Sequence, residues 1–309
     1  MKVAVTGATG FVGSYLVARL VDEGHDVKVL TRSVEKAKKA FPAPKFKSVE
    51  CVSYIPTQSG DWQNAISGCD GVINLAGEPI SERWSTDRKK QIMDSRKVGT
   101  QKLVEAIAKA AQKPAVLVST SAIGYYGTSE TAEFFETSEP AESDFLSQVC
   151  QAWESEAKKA QDSGVRTVII RTGIVLGDGG AIGKMIMPFK LYAGGPVGSG
   201  RQWFSWIHVD DLVSLYLKAL LDSSMQGVYN GTAPDPVRMK TLADTLGAVM
   251  DRPSWLPVPD FAIEALLGDG AVVVLKGQKV LPERTQAAGF AFDYAEAKEA
   301  LRDVVEKIG

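Results

Sequence analysis

Hydrophobic and polar positions alternate along this chain in two periods. The apolar run Val3-Ala4-Val5 breaks at Thr6-Gly7, and Leu16, Leu20 and Val21 then recur at helical spacing, as in a buried strand followed by an amphipathic helix. This predicts a helix over about 11–23, closed by Gly24, and a second strand over 26–30. Further apolar runs at 71–77, 115–119 and 165–171 are separated by helical patterns over 87–111, with Leu103, Ile107 and Ala110 as its buried stripe, and over 145–162. A weaker strand at 48–52 lies in a segment carrying Pro42, Pro44 and Pro56. Strands alternating with helices in this way predict an α/β protein built on a doubly wound parallel sheet. After Gly173 many glycines break the chain into loops; regularity returns with a helix over 212–221, capped by Asp211 or its neighbour, a strand over 228–230, and helices near 239–250, 260–267 and 294–306. The expected organisation is a Rossmann domain over 1–176, completed by about 207–232, and a smaller substrate-binding lobe over 177–309 that includes the C-terminal helical segment.

The strand ends carry the candidate chemistry. In Thr6-Gly7-Ala8-Thr9-Gly10-Phe11-Val12-Gly13 the glycines run G-x-x-G-x-x-G. Gly7 suits the tight turn, Gly10 lets backbone N–H groups approach a pyrophosphate, and Gly13 allows close helix–strand packing, with the helix N-terminus facing the anion. The second strand ends in Thr31-Arg32-Ser33, where an acidic residue would accept bonds from a ribose 2′-hydroxyl; a guanidinium instead favours a 2′-phosphate, hence NADP(H) over NAD(H). Leu75, Ala76 and Gly77 leave room beside a nicotinamide ribose. The next loop carries Glu78, Arg83 and Trp84, where ligands sit in this architecture. Arg96 and Lys97, on the following helix, read by default as a solvated face. Arg83, Arg96, Lys184 and Arg201 are nevertheless basic residues from four segments, a pattern suited to an anionic small substrate. Gln202 lies in the adjoining 198–202 loop, with Trp203 and Trp206 beyond it. Ser121, Tyr125 and Tyr126, after the fifth strand, are the candidates for acid/base work on a carbonyl or alcohol.

Composition narrows the field. With 35 basic and 37 acidic side chains and a net charge of −2, nothing favours nucleic acid. Cys51, Cys69 and Cys150 are widely spaced, which argues against a disulfide framework or a metal site and fits a reducing cytoplasm. No signal peptide and no membrane span are expected. Only His25 and His208 exist, so histidine catalysis is not expected.

Together these stretches resemble the extended short-chain dehydrogenase/reductase superfamily, and more closely its atypical YfcH-like or SulA-like "epimerase family protein" branch. The resemblance runs almost end to end: the glycine turn, Asn74 to Ile80, Ser95-Arg96, Gly99-Thr100, Ser121 to Gly127, Cys150-x-x-Trp153-Glu154, Gly194-Gly195, Ser205 to His208, and Gly277-Gln278 to Phe292. It implies NADP(H) binding and an oxidoreductase or epimerase-like activity on a small molecule. Some members are linked to cell or chloroplast division, so the alternative is a non-catalytic NADP(H)-binding regulator acting through a division-related partner, located in the cytoplasm or, in a photosynthetic eukaryote, the plastid stroma. One feature departs from the superfamily. Members use a Tyr-x-x-x-Lys pair, but counting back from Glu154 places Leu146 and Cys150 at those positions, and neither can replace it. The superfamily serine or threonine falls at Ser121 or its neighbour Ala122, and Tyr125 and Tyr126 are the nearest phenols. Cys150 is expected to be a packed helix residue, since nothing basic lies nearby on its own helix to activate it.

Overall fold

The computed structural model describes residues 1–308, with the side chains of Ala181 and Lys184 outside the description. At its centre are seven parallel strands: β1 (Lys2–Thr6), β2 (Asp26–Thr31), β3 (Val49–Ser53), β4 (Gly71–Asn74), β5 (Val116–Ala122), β6 (Arg166–Thr172) and β7 (Gly227–Gly231). In space they run β3-β2-β1-β4-β5-β6-β7. The order reverses between β1 and β4, where Val3–Thr6 pair with Gly71–Asn74, and a crevice opens there at the carboxyl ends of the strands. Helices cover both faces, so the strands read as continuous apolar runs. Leu16 and Leu20 of α1 (Phe11–Asp22), with Leu212 and Tyr216 of α6 (Val209–Leu221), fill one face. Leu103 and Ile107 of α3 (Thr86–Lys109), with Ala157 of α4 (Phe145–Lys158), fill the other. A separate core joins α5 (Gly180–Lys190), α7 (Met239–Met250) and α9 (Ala297–Ile308) through Ile182, Phe189, Leu246 and Leu301. Trp206 is fully buried in this core and its indole N–H donates to the Asp235 carbonyl at 3.0 Å.

Several local expectations are revised. Val34–Ala40 forms α2, hidden from the hydrophobic pattern because only Ala37 is buried on a lysine-rich segment. Helix α5 forms despite Gly180, Gly183 and Pro188, because burial of Ile182, Ile186 and Phe189 outweighs their poor helix propensity. Strand β5 runs three residues further than expected, to Ala122. Asp211 does not cap α6; His208 does, its Nδ1 accepting the Asp210 amide at 3.3 Å. The buried Asp211 carboxylate instead accepts the amides of Asp293 and Tyr294 at 2.8 and 3.0 Å, fastening the C-terminal segment to α6. Among the described residues no helix is long and apolar enough to cross a membrane.

Candidate functional site

The glycine turn is shaped by close approach. Gly7 has φ +68°, and a Cβ there would meet the Leu75 backbone at 2.8 Å; a Cβ at Gly13 would lie 2.2 Å from the Gly7 carbonyl oxygen. Thr6 locks the turn to β4. Its hydroxyl donates to Asn74 Oδ1 at 2.7 Å and accepts the Leu75 and Ala76 amides, both at 3.1 Å.

Beyond the turn lies a cleft of about 490 Å³ that brings together Gly7, Thr9, Gly10, Thr31, Arg32, Ser33, Leu75, Ala76 and Gly77. Four other residues expected to bind the cofactor are not on its lining. Thr6 is occupied as described, Phe11 packs its ring against Gly177 and Gly179, Val12 packs on the sheet core, and Gly13 sits behind Gly7. Lys36 and Tyr54 join the lining without sequence warning. Lys36 belongs to the unanticipated α2, where Ser33 Oγ caps its amide at 3.3 Å. Glu78, expected near the substrate, also lines this cleft and bridges Arg32 (2.5 Å) and Arg88 (3.3 Å).

A second cavity, of about 260 Å³, lies at the carboxyl ends of β5 and β6. Ile80 and Ile92, Leu146 and Val149, Ile174, and Val272 and Val273 make it chiefly apolar. Trp203 and the Lys276–Gln278 segment complete its walls. The positions of the absent Tyr-x-x-x-Lys pair face this space, since Leu146 and Cys150 both line it. The Cys150 thiol donates to the Ala122 carbonyl at 3.6 Å, and burial pushes it up to about 11.

The candidate acid/base residues lie behind that wall, not on it. Ser121 donates to Glu154 Oε1 at 2.8 Å, and Arg171 grips both Glu154 oxygens at 2.8 and 2.9 Å, with both charged side chains almost wholly buried. Arg171 also donates to the Tyr126 hydroxyl at 3.0 Å, which donates to Asn230 Oδ1 at 2.7 Å. Burial pushes the Tyr126 phenol up to about 12. The Tyr125 ring lies 3.3 Å from the Arg171 guanidinium carbon. These hydrogen-bonded and stacked groups form a support beneath β5 and β6. Only the tertiary position of Arg171, distant in sequence from both tyrosines, reveals it.

The expected substrate residues also separate. Arg83 donates to the Ala265 carbonyl at 2.7 Å. The Trp84 indole donates to Ile80 O at 2.8 Å and its ring meets Phe145 edge-on. Buried Gln202 donates to Val197 O at 2.9 Å and Val274 O at 3.2 Å. These three brace loops around the cavity without lining it. Arg201 is exposed beside Glu130, and Lys184 lies outside the described side chains. Among the described members of the group, Arg96 alone lines the cavity. It is not on a solvated face: its guanidinium lies against Gly77 and 5.2 Å from the Trp153 ring centroid, and desolvation lowers its pKa.

The doubly wound sheet, its switch-point crevice and the glycine turn define a Rossmann-type nucleotide-binding protein. Residues 3–230 match the model of the NAD dependent epimerase/dehydratase family, and residues 258–304 match a domain of unknown function, DUF1731. The chain belongs to the NAD dependent epimerase/dehydratase family. It is 53% identical to the chloroplastic epimerase family protein SDR39U1 homolog of Arabidopsis thaliana, covering 99% of this chain and 87% of that protein. It is 38% identical to epimerase family protein YfhF of Bacillus subtilis, covering 99% and 98%. The crystal structure of human epimerase family protein SDR39U1 (isoform 2) with NADPH superposes with a TM-score of 0.88 at 37% identity, covering 99% of both chains.

Proposed function

We propose that this chain binds NADP(H) in the glycine-turn cleft and acts as an atypical oxidoreductase or epimerase-like enzyme on a small molecule held in the apolar cavity. The observation that carries this reading is the shared wall between the two spaces. Gly77 lines the cleft, Arg96 lines the cavity, and their groups are in contact. The NADPH-bound human structure supports the choice of cofactor. Arg32, Ser33 and Lys36 would receive the 2′-phosphate, backbone N–H groups near Gly10 the pyrophosphate, and Leu75–Gly77 the nicotinamide half. When bound, the nicotinamide supplies or accepts a hydride. The chain's part is then to exclude water with Ile80, Leu146, Val149 and Ile174 and to orient the reacting carbon. Thr128 and Thr172 both line the cavity, and the Thr172 hydroxyl belongs to a hydroxyl chain with Thr120 and Tyr216 at 3.2 and 3.4 Å. In this reading Ser121, Tyr125 and Tyr126 support the cavity floor and do not move the proton.

The high thiol pKa of Cys150, where the superfamily has lysine, favours a second reading: a non-catalytic NADP(H)-binding regulator that acts through a partner, in the manner of the division-linked members. The deciding experiment follows NADPH oxidation at 340 nm with panels of small carbonyl compounds and nucleotide sugars. Turnover supports the enzyme. Tight NADPH binding without turnover on any panel supports the regulator.

A further inference from the structure

The apolar cavity carries a cation on its wall, Arg96, that no carboxylate among the described residues pairs with. Arg96 Nη1 donates only to backbone carbonyls, Glu78 O at 3.0 Å and Ile92 O at 3.3 Å, and its Nε and Nη2 have no acceptor among the described residues. The nearby Glu78 carboxylate is engaged by Arg32 and Arg88. Trp153, 4% exposed, also lines the cavity, and its indole N–H is buried without a partner among the described residues. A buried donor without an acceptor is costly unless a ligand satisfies it. The one carboxylate on the lining, Asp144, caps α4 by accepting the Ser147 amide at 2.8 Å. Lys276 adds a second positive charge to the lining.

We infer that the cavity takes a small, mainly apolar molecule bearing one carboxylate, which docks on the free edge of Arg96 and the indole N–H of Trp153, and that it does not take a nucleotide sugar. A planar carboxylate matches the fork of a guanidinium and needs few other donors. The volume, about 260 Å³, lies below the range of roughly 300–1,000 Å³ usual for drug-sized ligands. A diphosphate and a ring of hydroxyls would need many polar partners, and the apolar walls offer few. This names a substrate class for the proposed enzyme and rests on that reading only for turnover.

The test is calorimetric titration of the full-length protein, saturated with NADPH, with hexanoate and benzoate, their neutral amides, inorganic phosphate and UDP-glucose. The carboxylates should bind about tenfold or more tightly than the amides, a preference of the size expected for a charge-assisted contact. Arg96→Met should abolish that preference, and any loss of NADPH affinity should stay well below the loss of carboxylate affinity. Arg96→Lys, which keeps the charge without the fork, should keep part of the preference and controls for misfolding. Amides binding as well as carboxylates, tighter binding of phosphate or UDP-glucose, or a loss of NADPH affinity in Arg96→Met matching the loss of carboxylate affinity would each overturn the inference. Carboxylate binding without turnover leaves this site standing and refutes only the enzymatic reading; turnover of neutral carbonyls independent of Arg96 does the reverse.

Discussion

Arg32 sets the expected preference for NADPH over NADH, and the structure shows what limits it. Arg32 pairs with Glu78 at 2.5 Å, and 69% of its side chain is exposed. A 2′-phosphate must therefore replace an existing partner. A charge-assisted contact to the phosphate contributes about 1.5–3 kcal/mol, while an exposed ion pair contributes about 0.2–1 kcal/mol. The difference, about 1–2 kcal/mol, corresponds to a preference of about 5–30-fold. Arg32→Ala should remove most of it, with Lys36 keeping a small remainder. Glu78→Gln should instead tighten NADPH binding by up to about fivefold, because it frees Arg32 of its competitor. Arg88 tolerates that change, since it still bonds the Pro79 carbonyl and Glu82. Calorimetry with both cofactors reads all three values, and the preference should shrink as salt rises. Equal affinities in the parent protein, or weaker NADPH binding in Glu78→Gln, would refute the reasoning.

Three further outcomes follow from buried groups. With its thiol near 11, Cys150 should resist iodoacetamide at pH 7 and react only under strongly alkaline conditions, and Cys150→Ala should bind NADPH normally; fast selective labelling at neutral pH would contradict this. Glu154→Gln breaks the buried grip of Arg171 and should cost about 3–5 kcal/mol in urea denaturation, whereas a loss under about 1 kcal/mol, the size of an exposed pair, would show that the pair is not a support. Burial lifts Asp211 to about 6, above an ordinary value of about 4. The folded chain therefore keeps a proton that the unfolded chain has released. This contribution to stability is full below about pH 4 and falls by ~3 kcal/mol as pH rises through 6. Asp211→Asn should flatten that slope in melts run from pH 4 to 7, and an unchanged slope would place the proton elsewhere.

Local chemistry along the chain was enough to determine the sheet, the glycine turn and most of the cleft. Strands buried on both faces must be apolar throughout, and a turn with positive φ at Gly7 and no space for a Cβ at Gly13 admits few residues. Nine of the thirteen residues expected in the cleft line it. Phe11, Val12, Thr6 and Gly13 do not, because sequence adjacency to the turn says nothing about which way each group faces. Helix α2, and Lys36 with it, left no apolar stripe to detect. Only the tertiary structure decided the cavity. Ser121, Tyr125 and Tyr126 have the right chemistry and lie at the end of the right strand, yet Arg171 and Glu154, contributed by β6 and α4, draw them into a buried network. Arg96 shows the reverse: its solvated-looking helix position becomes the charged wall of an apolar pocket because Gly77 lets it approach the loop after β4 and Trp153 covers it from α4. Such contacts join elements far apart in sequence, and no local pattern encodes them.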